Sequence, residues 1–134
     1  MEKEIQELIQ AAKSALEKAY APYSKFKVGA ALLSGSGKIY TGANVENSSY
    51  GLSICAERVA VFKAVTAGDA KLKLMILYTD TDELVPPCGA CRQVIAEFNP
   101  KLEVILVNNK GEMKALNMDR LLADPFILKD RKSL

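Results

Sequence analysis

The 134-residue sequence holds three cysteines and no histidine. All three thiols fall in two short stretches, "CAERV" at 55 to 59 and "VPPCGACRQ" at 85 to 93. A thiolate is a soft anionic ligand that suits zinc. Cys88 and Cys91 stand three apart at the start of an expected helix, so both sulfurs face one side. Cys55 opens another expected helix. Helix N-termini stabilise anions, which favours the ionised form of all three thiols. A structural zinc site normally closes its tetrahedron with a fourth Cys or His, and the chain has none left to offer. Three protein ligands with one open position is the pattern of a catalytic zinc. Two other readings stay open. The C-x-x-C could be a redox pair, which leaves Cys55 and Glu57 without a task. Glu57 could also be the fourth ligand of a closed structural site.

Glu57 lies on a nearly all-apolar helix, so an exposed face for it is hard to find. A buried carboxylate is costly unless partnered. Three thiolates around one divalent ion leave a net negative charge, which opposes ionisation of a bound water. The two helix N-termini offset that charge, and so could Arg58, by hydrogen bonding to sulfur. The plainer alternative for Arg58 is a surface salt bridge.

These residues must be held by a frame that the rest of the chain supplies. Its length suits one domain, expected over residues 1–134, and 49% apolar and 25% charged residues are globular values. A net charge of +2 forecasts neither a nucleic-acid nor a membrane surface. No apolar run approaches the ~20 residues of a membrane span. "MEKEIQELIQ" is too charged for a secretory signal. An odd cysteine count without a signal argues against a disulfide framework and for a reducing compartment. The closing "KDRKSL" reads as a solvated tail.

Ile5, Leu8, Ile9, Ala12, Ala15, Leu16 and Ala19 form a helical stripe. Phe26 to Leu33 and Ile39 to Glu46 read as a hairpin around "SGSGK". Asn44 and Glu46, two apart on that second strand, would face one side. Ser53 is the expected cap of a buried helix from Cys55 to Ala67, ended by Gly68. "KLMILYT" and "LEVILV" are continuous apolar strands with a helix, Gly89 to Phe98, between them, as in a parallel pair buried on both faces. A short strand at Met113 to Leu116 and a helix opened by Asn117 complete the order α-β-β-α-β-α-β-β-α. The expected fold is α/β, a three-layer α/β/α sandwich with a mixed five-stranded sheet.

Cys55-x-Glu57 with Pro87-Cys88-x-x-Cys91 is the signature of the zinc deaminases. "YAPYSKFKVGAAL", "GANVENSSYGLSICAER" and "PPCGACRQV" resemble, in order, the blocks of the small homotetrameric cytidine deaminases, and the match spans nearly the whole chain. The resemblance implies a hydrolase acting on a cyclic amidine. It would turn cytidine or deoxycytidine and water into uridine or deoxyuridine and ammonia, in pyrimidine salvage in the cytoplasm, with one zinc per subunit. In it Glu57 is not a ligand. It takes a proton from water, delivers it to N3 and helps protonate the leaving amino group. The matching positions imply that Asn44 and Glu46 grip the ribose, that Phe26 packs on the pyrimidine, and that backbone near Ala56 and Cys88 reads the amide edge. Tyr50 and Phe126 resemble aromatics placed around a neighbouring subunit's site. "LLADPF" departs from the family's usual small Pro-Gly turn, and Pro86 stands where a small polar residue is common. A deaminase of another cytosine-like compound or of polynucleotide, and a non-enzymatic zinc module, are the competing readings. The short, weakly basic chain lacks a basic or aromatic-rich insert for a strand of nucleic acid.

Overall fold

The computed structural model describes residues 2–128, and the "KDRKSL" tail at 129–134 lies outside them. Five strands form one mixed sheet in the order β2-β1-β3-β4-β5. Helix α1 (Glu2–Leu16) covers one face, and α2 (Ala56–Thr66) packs on the other beside α3 (Gly89–Phe98). The expected α/β/α sandwich is therefore what the chain builds.

Helix α1 follows its apolar stripe, burying Leu8, Ile9, Ala12, Ala15 and Leu16. Strands β1 (Val28–Ser34) and β2 (Ile39–Ala43) pair antiparallel, with Ala30 opposite Gly42. β1 also pairs antiparallel with β3 (Leu72–Thr79). β3 and β4 (Glu103–Val107) run parallel, as their two-sided burial predicts, and β5 (Met113–Asn117) closes the edge antiparallel to β4. Alternation along the strands divides the core. Ala31, Leu33, Leu74, Ile76, Ile105 and Val107 face α1. Ala30, Leu32, Met75, Leu77, Val104 and Leu106 face α2 and α3.

Two glycines set the helix–sheet spacing. A Cβ on Gly29 would stand 2.0 Å from the Ala12 carbonyl oxygen of α1. One on Gly42 would stand 2.3 Å from the Ala56 carbonyl oxygen of α2. Only glycine allows this approach, so the sheet edge and the N-terminus of α2 are pressed together.

Several boundaries differ from the sequence expectations. α1 stops at Leu16, leaving Ala19 beyond it, because the chain turns so that Tyr20 bonds to Asn44 and Glu46 through the backbone. β1 begins at Val28, so Phe26 precedes it. β2 ends at Ala43, and Asn44 and Glu46 lie past the strand. There Val45 leaves β1 and pairs with Ile54. The run stays extended, so both side chains still face one segment, residues 23 to 28. Ser53 does not cap α2. It follows a short 3-10 turn (Tyr50–Leu52), and its hydroxyl accepts from the Asn47 N–H. Cys55 occupies the N-cap position instead. Helix α2 is also not buried all round: Ala56, Glu57, Ala60, Val61 and Ala64 are covered, while Phe62 is 44% exposed. Gly68 ends α2 at φ 78°, with Asp69 N–H reaching Ala64 O and Gly68 N–H reaching Val65 O, a Schellman close. Asn117 opens the short α4 (Met118–Leu121), its side chain accepting from the Asp119 N–H.

Candidate metal centre and active site

Cys55 and Cys88 are the N-cap residues of α2 and α3, both with extended backbone. Neither sulfur caps its own helix, so both remain available to a ligand. Cys91 lies one turn into α3 and is fully buried. The helices thus aim three sulfurs at one point between their N-termini. Cys88 Sγ is 3.5 Å from Cys91 Sγ and 3.8 Å from Cys55 Sγ, and all three lie within 4.8 Å of one another. Zinc–sulfur bonds of ~2.3 Å in a tetrahedron place sulfurs about 3.8 Å apart. The donor set therefore fits zinc in chemistry and in spacing. It is also the one group of three or more candidate ligands among the described residues.

The electrostatics separate the thiols. Cys55 is pulled down to about 5, chiefly by a hydrogen bond from Cys91, with Arg58 and Cys88 assisting against burial. Cys91 is pushed up, first by that same shared proton and then by burial and Glu57. Arg58 Nη2 stands 3.5 Å from Cys55 Sγ, and the sulfurs hold its guanidinium firmly protonated. This is a contact to sulfur and not a surface ion pair. Arg58 Nε is buried without a hydrogen-bond partner.

Glu57 follows Cys55 by two residues and turns inward at 5% exposure. Burial pushes its carboxyl well above the ordinary range, and the Cys55 charge adds to this. The carboxyl, two sulfurs, Phe26, Asn44 and Ala56 line one cavity of about 180 Å³. Val28, Leu77, Thr79, Val85 and Pro86 complete its wall. The cavity opens where β3 ends and the two helices begin, the usual ligand position in α/β sheets. Its volume lies below the ~300 Å³ at which drug-sized sites start, and suits a single ring. Pro86, the departure noted in the sequence, forms wall here and leaves the sulfur cluster intact.

Asn44 joins the cavity to the loop before β1. Its Nδ2 donates to Phe26 O at 2.8 Å and its Oδ1 accepts from Val28 N at 2.9 Å. Glu46 lines a neighbouring cleft of about 240 Å³ with Tyr23, Ser24, Tyr50 and Ser53. Tyr50 is 73% exposed and meets the Tyr23 ring edge-on at 5.9 Å. Phe126 joins neither space. It is 71% exposed, and its backbone is held by the Gln93 side chain through both carbonyl and N–H. The structure thus gathers Phe26, Asn44, Cys55, Ala56, Glu57 and Cys88 around one cavity, sets Glu46 and Tyr50 in the next, and leaves Phe126 apart.

Sequence reasoning passed over Ser24, Tyr23 and Thr79. The first two hold the Glu46 carboxylate, and Thr79 is a buried hydroxyl on the cavity wall. No local sequence signal marks Ser24, because the carboxylate it holds lies 22 residues further along the chain.

Comparison with known proteins agrees with this fold and with a zinc-binding region. The profile of the cytidine and deoxycytidylate deaminase zinc-binding region matches residues 2–107. The cytidine deaminase of Sporosarcina psychrophila is 49% identical over 95% of this chain and 94% of its own length. That of Halalkalibacterium halodurans is 48% identical over 93% of this chain and 96% of its own. The crystal structure of cytidine deaminase from Burkholderia pseudomallei superposes with a TM-score of 0.86 at 50% identity, covering 90% of this chain and 98% of that one. With that profile matched over residues 2–107 and relatives about half identical over nearly the whole chain, the chain belongs to the cytidine and deoxycytidylate deaminase family.

Proposed function

We propose that this protein is a zinc-dependent cytidine deaminase that hydrolyses cytidine and deoxycytidine to uridine and deoxyuridine with release of ammonia. The observation that carries this reading is the buried Glu57 carboxyl on the wall of a one-ring cavity that also presents the sulfur cluster. Cys55, Cys88 and Cys91 hold the zinc, which supplies the Lewis acidity that makes water a nucleophile near neutral pH.

The remaining chemistry belongs to the chain. Phe26 packs on the pyrimidine and, with Val28, Leu77 and Pro86, excludes bulk water. Asn44 and Glu46 bind the sugar hydroxyls, and backbone at Ala56 and Cys88 reads the amide edge of the base. Glu57 takes one proton of the attacking water and passes it to ring N3 as the C4–O bond forms; it then takes the second proton from the new C4 hydroxyl and gives it to the amino nitrogen, so that the C4–N bond breaks, C4=O forms and ammonia leaves. Burial lifts its proton affinity, so one carboxyl can both accept and release protons. Arg58 returns positive charge to sulfur.

The assembly is a homotetramer in the cytoplasm, and Tyr50 and Phe126 approach a neighbouring subunit's site. The exposed Phe62, Val45 and Tyr50 support such contacts, and no helix among the described residues is long and apolar enough to cross a membrane. Purified protein should be incubated with cytidine, deoxycytidine, cytosine and a short single-stranded DNA, with ammonia and bound zinc assayed. Ammonia from the two nucleosides is expected. Zinc without ammonia from any of them would favour a structural site.

A further inference from the structure

The loop before β1 is tied to Glu46 by more bonds than a surface loop needs. Glu46 Oε1 accepts from the Tyr23 N–H at 3.0 Å and from the Ser24 N–H at 3.1 Å. Glu46 Oε2 accepts from the Ser24 hydroxyl. The same Ser24 oxygen accepts from the Phe26 N–H at 3.0 Å. One hydroxyl therefore joins a carboxylate at one cleft to the backbone of the ring at the next. Between them Lys25 is the one described non-glycine residue in the left-handed region, φ 60°. That conformation is disfavoured for a residue with a Cβ. It folds Phe26 N–H back onto Ser24, and these bonds hold it there.

Valence sharpens the point. A carboxylate offers about four acceptor positions, and three are taken here. The remaining position is on Oε2, the oxygen whose direction the Ser24 hydroxyl sets. These donors also keep Glu46 ionised, with its pKa lowered chiefly by Ser24. The carboxylate is thus a fixed, single acceptor at the rim, suited to one hydroxyl of a sugar.

We infer that Ser24 is a positioning residue that orients the Glu46 carboxylate for one sugar hydroxyl and, through Phe26, locks the sugar-binding and base-binding parts of the site in register. This rests on the reading of the protein as a cytidine deaminase. Ser24 touches no reacting atom, so its loss should raise KM and leave kcat nearly unchanged. The discriminating readout is a ratio. Zinc-loaded wild type and Ser24→Ala should be compared on cytidine and on 2′,3′-dideoxycytidine, which lacks the 2′ and 3′ hydroxyls and keeps the 5′. The Phe26 side of the bond affects both substrates alike, so the ratio isolates the Glu46 side.

Ser24→Ala is expected to lower kcat/KM for cytidine about tenfold or more, and for dideoxycytidine far less. Ser24→Thr, which keeps the hydroxyl, is expected to restore the ratio. Adding Ser24→Ala to Glu46→Gln is expected to leave the ratio of Glu46→Gln unchanged. Should Ser24→Ala fold poorly, Ser24→Cys, nearly isosteric and a weaker donor, reads the same ratio. Equal losses on both substrates, or a fall in kcat alone, would overturn the inference and leave the deaminase reading standing. No ammonia from cytidine with wild type would remove that reading and this inference with it.

Discussion

Gly42→Ala places the smallest possible perturbation between the sheet and the site. Its Cβ would meet Ala56 O at 2.3 Å, Ala60 N at 2.6 Å and Val59 Cβ at 3.1 Å. Two of these are backbone atoms of α2 and cannot rotate away. Ordinary contact begins near 3.4 Å, so α2 must retreat by about 1 Å or the β1–β2 edge must bend. Overpacking of this kind costs ~1–3 kcal/mol, enough to lower the unfolding midpoint by several degrees. The larger effect falls on the site. The displaced turn carries Ala56, next to Cys55 and Glu57, and a 1 Å misplacement costs about 10²-fold in rate. Thermal unfolding by circular dichroism, bound zinc and kcat/KM on cytidine should be measured together at a temperature where the variant is folded. A fall in kcat/KM of about 10²-fold in folded, zinc-loaded protein is expected. A variant with an unchanged midpoint and activity within about threefold of wild type would refute the view that this close approach seats the site.

Gly29→Ala is the control on the opposite face. Its Cβ would stand 2.0 Å from Ala12 O and 2.8 Å from Leu16 N, so stability should fall at least as far, yet kcat of the folded fraction should stay within about threefold because α1 carries no site residue. Arg58→Ala removes the positive charge 3.5 Å from Cys55 Sγ; turnover should fall about 10–100-fold with little change in the unfolding midpoint, and unchanged turnover would count against charge compensation. Asp69 accepts from Ser36 at 2.6 Å, Ser34 at 2.7 Å and Tyr40 at 2.9 Å, which holds its pKa below the ordinary 3.8, Ser36 first. Its folded pKa lies below its unfolded one, so its contribution is complete above the unfolded value and is lost as pH falls through the folded value. Urea midpoints should therefore drop below pH 3.8 in wild type, and Asp69→Asn should lower the neutral-pH midpoint and flatten that acid slope; an unchanged slope would show that the cluster is not the source.

The elements readable from sequence were those whose burial is uniform along their length. The α1 stripe and the two-sided apolar runs of β3 and β4 each repeat one rule, and the structure follows them. The sulfur cluster was readable for a different reason. Soft ligands are scarce in this chain, and two helix starts leave few ways to combine three of them. What escaped was tertiary competition for backbone bonds. Ile39 to Glu46 looks like one strand, but Tyr20 and Ile54 claim residues 44 to 46. Ser53 has cap chemistry, but the Asn47 N–H takes its hydroxyl first. The apolar composition of α2 suggested burial all round, and Phe62 on its outer face shows that composition does not say which faces a single chain covers. Ser24 was invisible because its role depends on a carboxylate 22 residues away.

Glu57→Gln, compared with wild type for bound zinc and for ammonia release from cytidine in the same preparations, bears most directly on the claim that three sulfurs bind the metal while the carboxyl moves the protons. Equal zinc in both proteins, near one per chain, with ammonia from wild type and a loss of most turnover in the variant, is the expected result. Loss of zinc from the variant would make Glu57 a ligand and contradict the division of roles, as would a variant that keeps its zinc and releases ammonia at the wild-type rate.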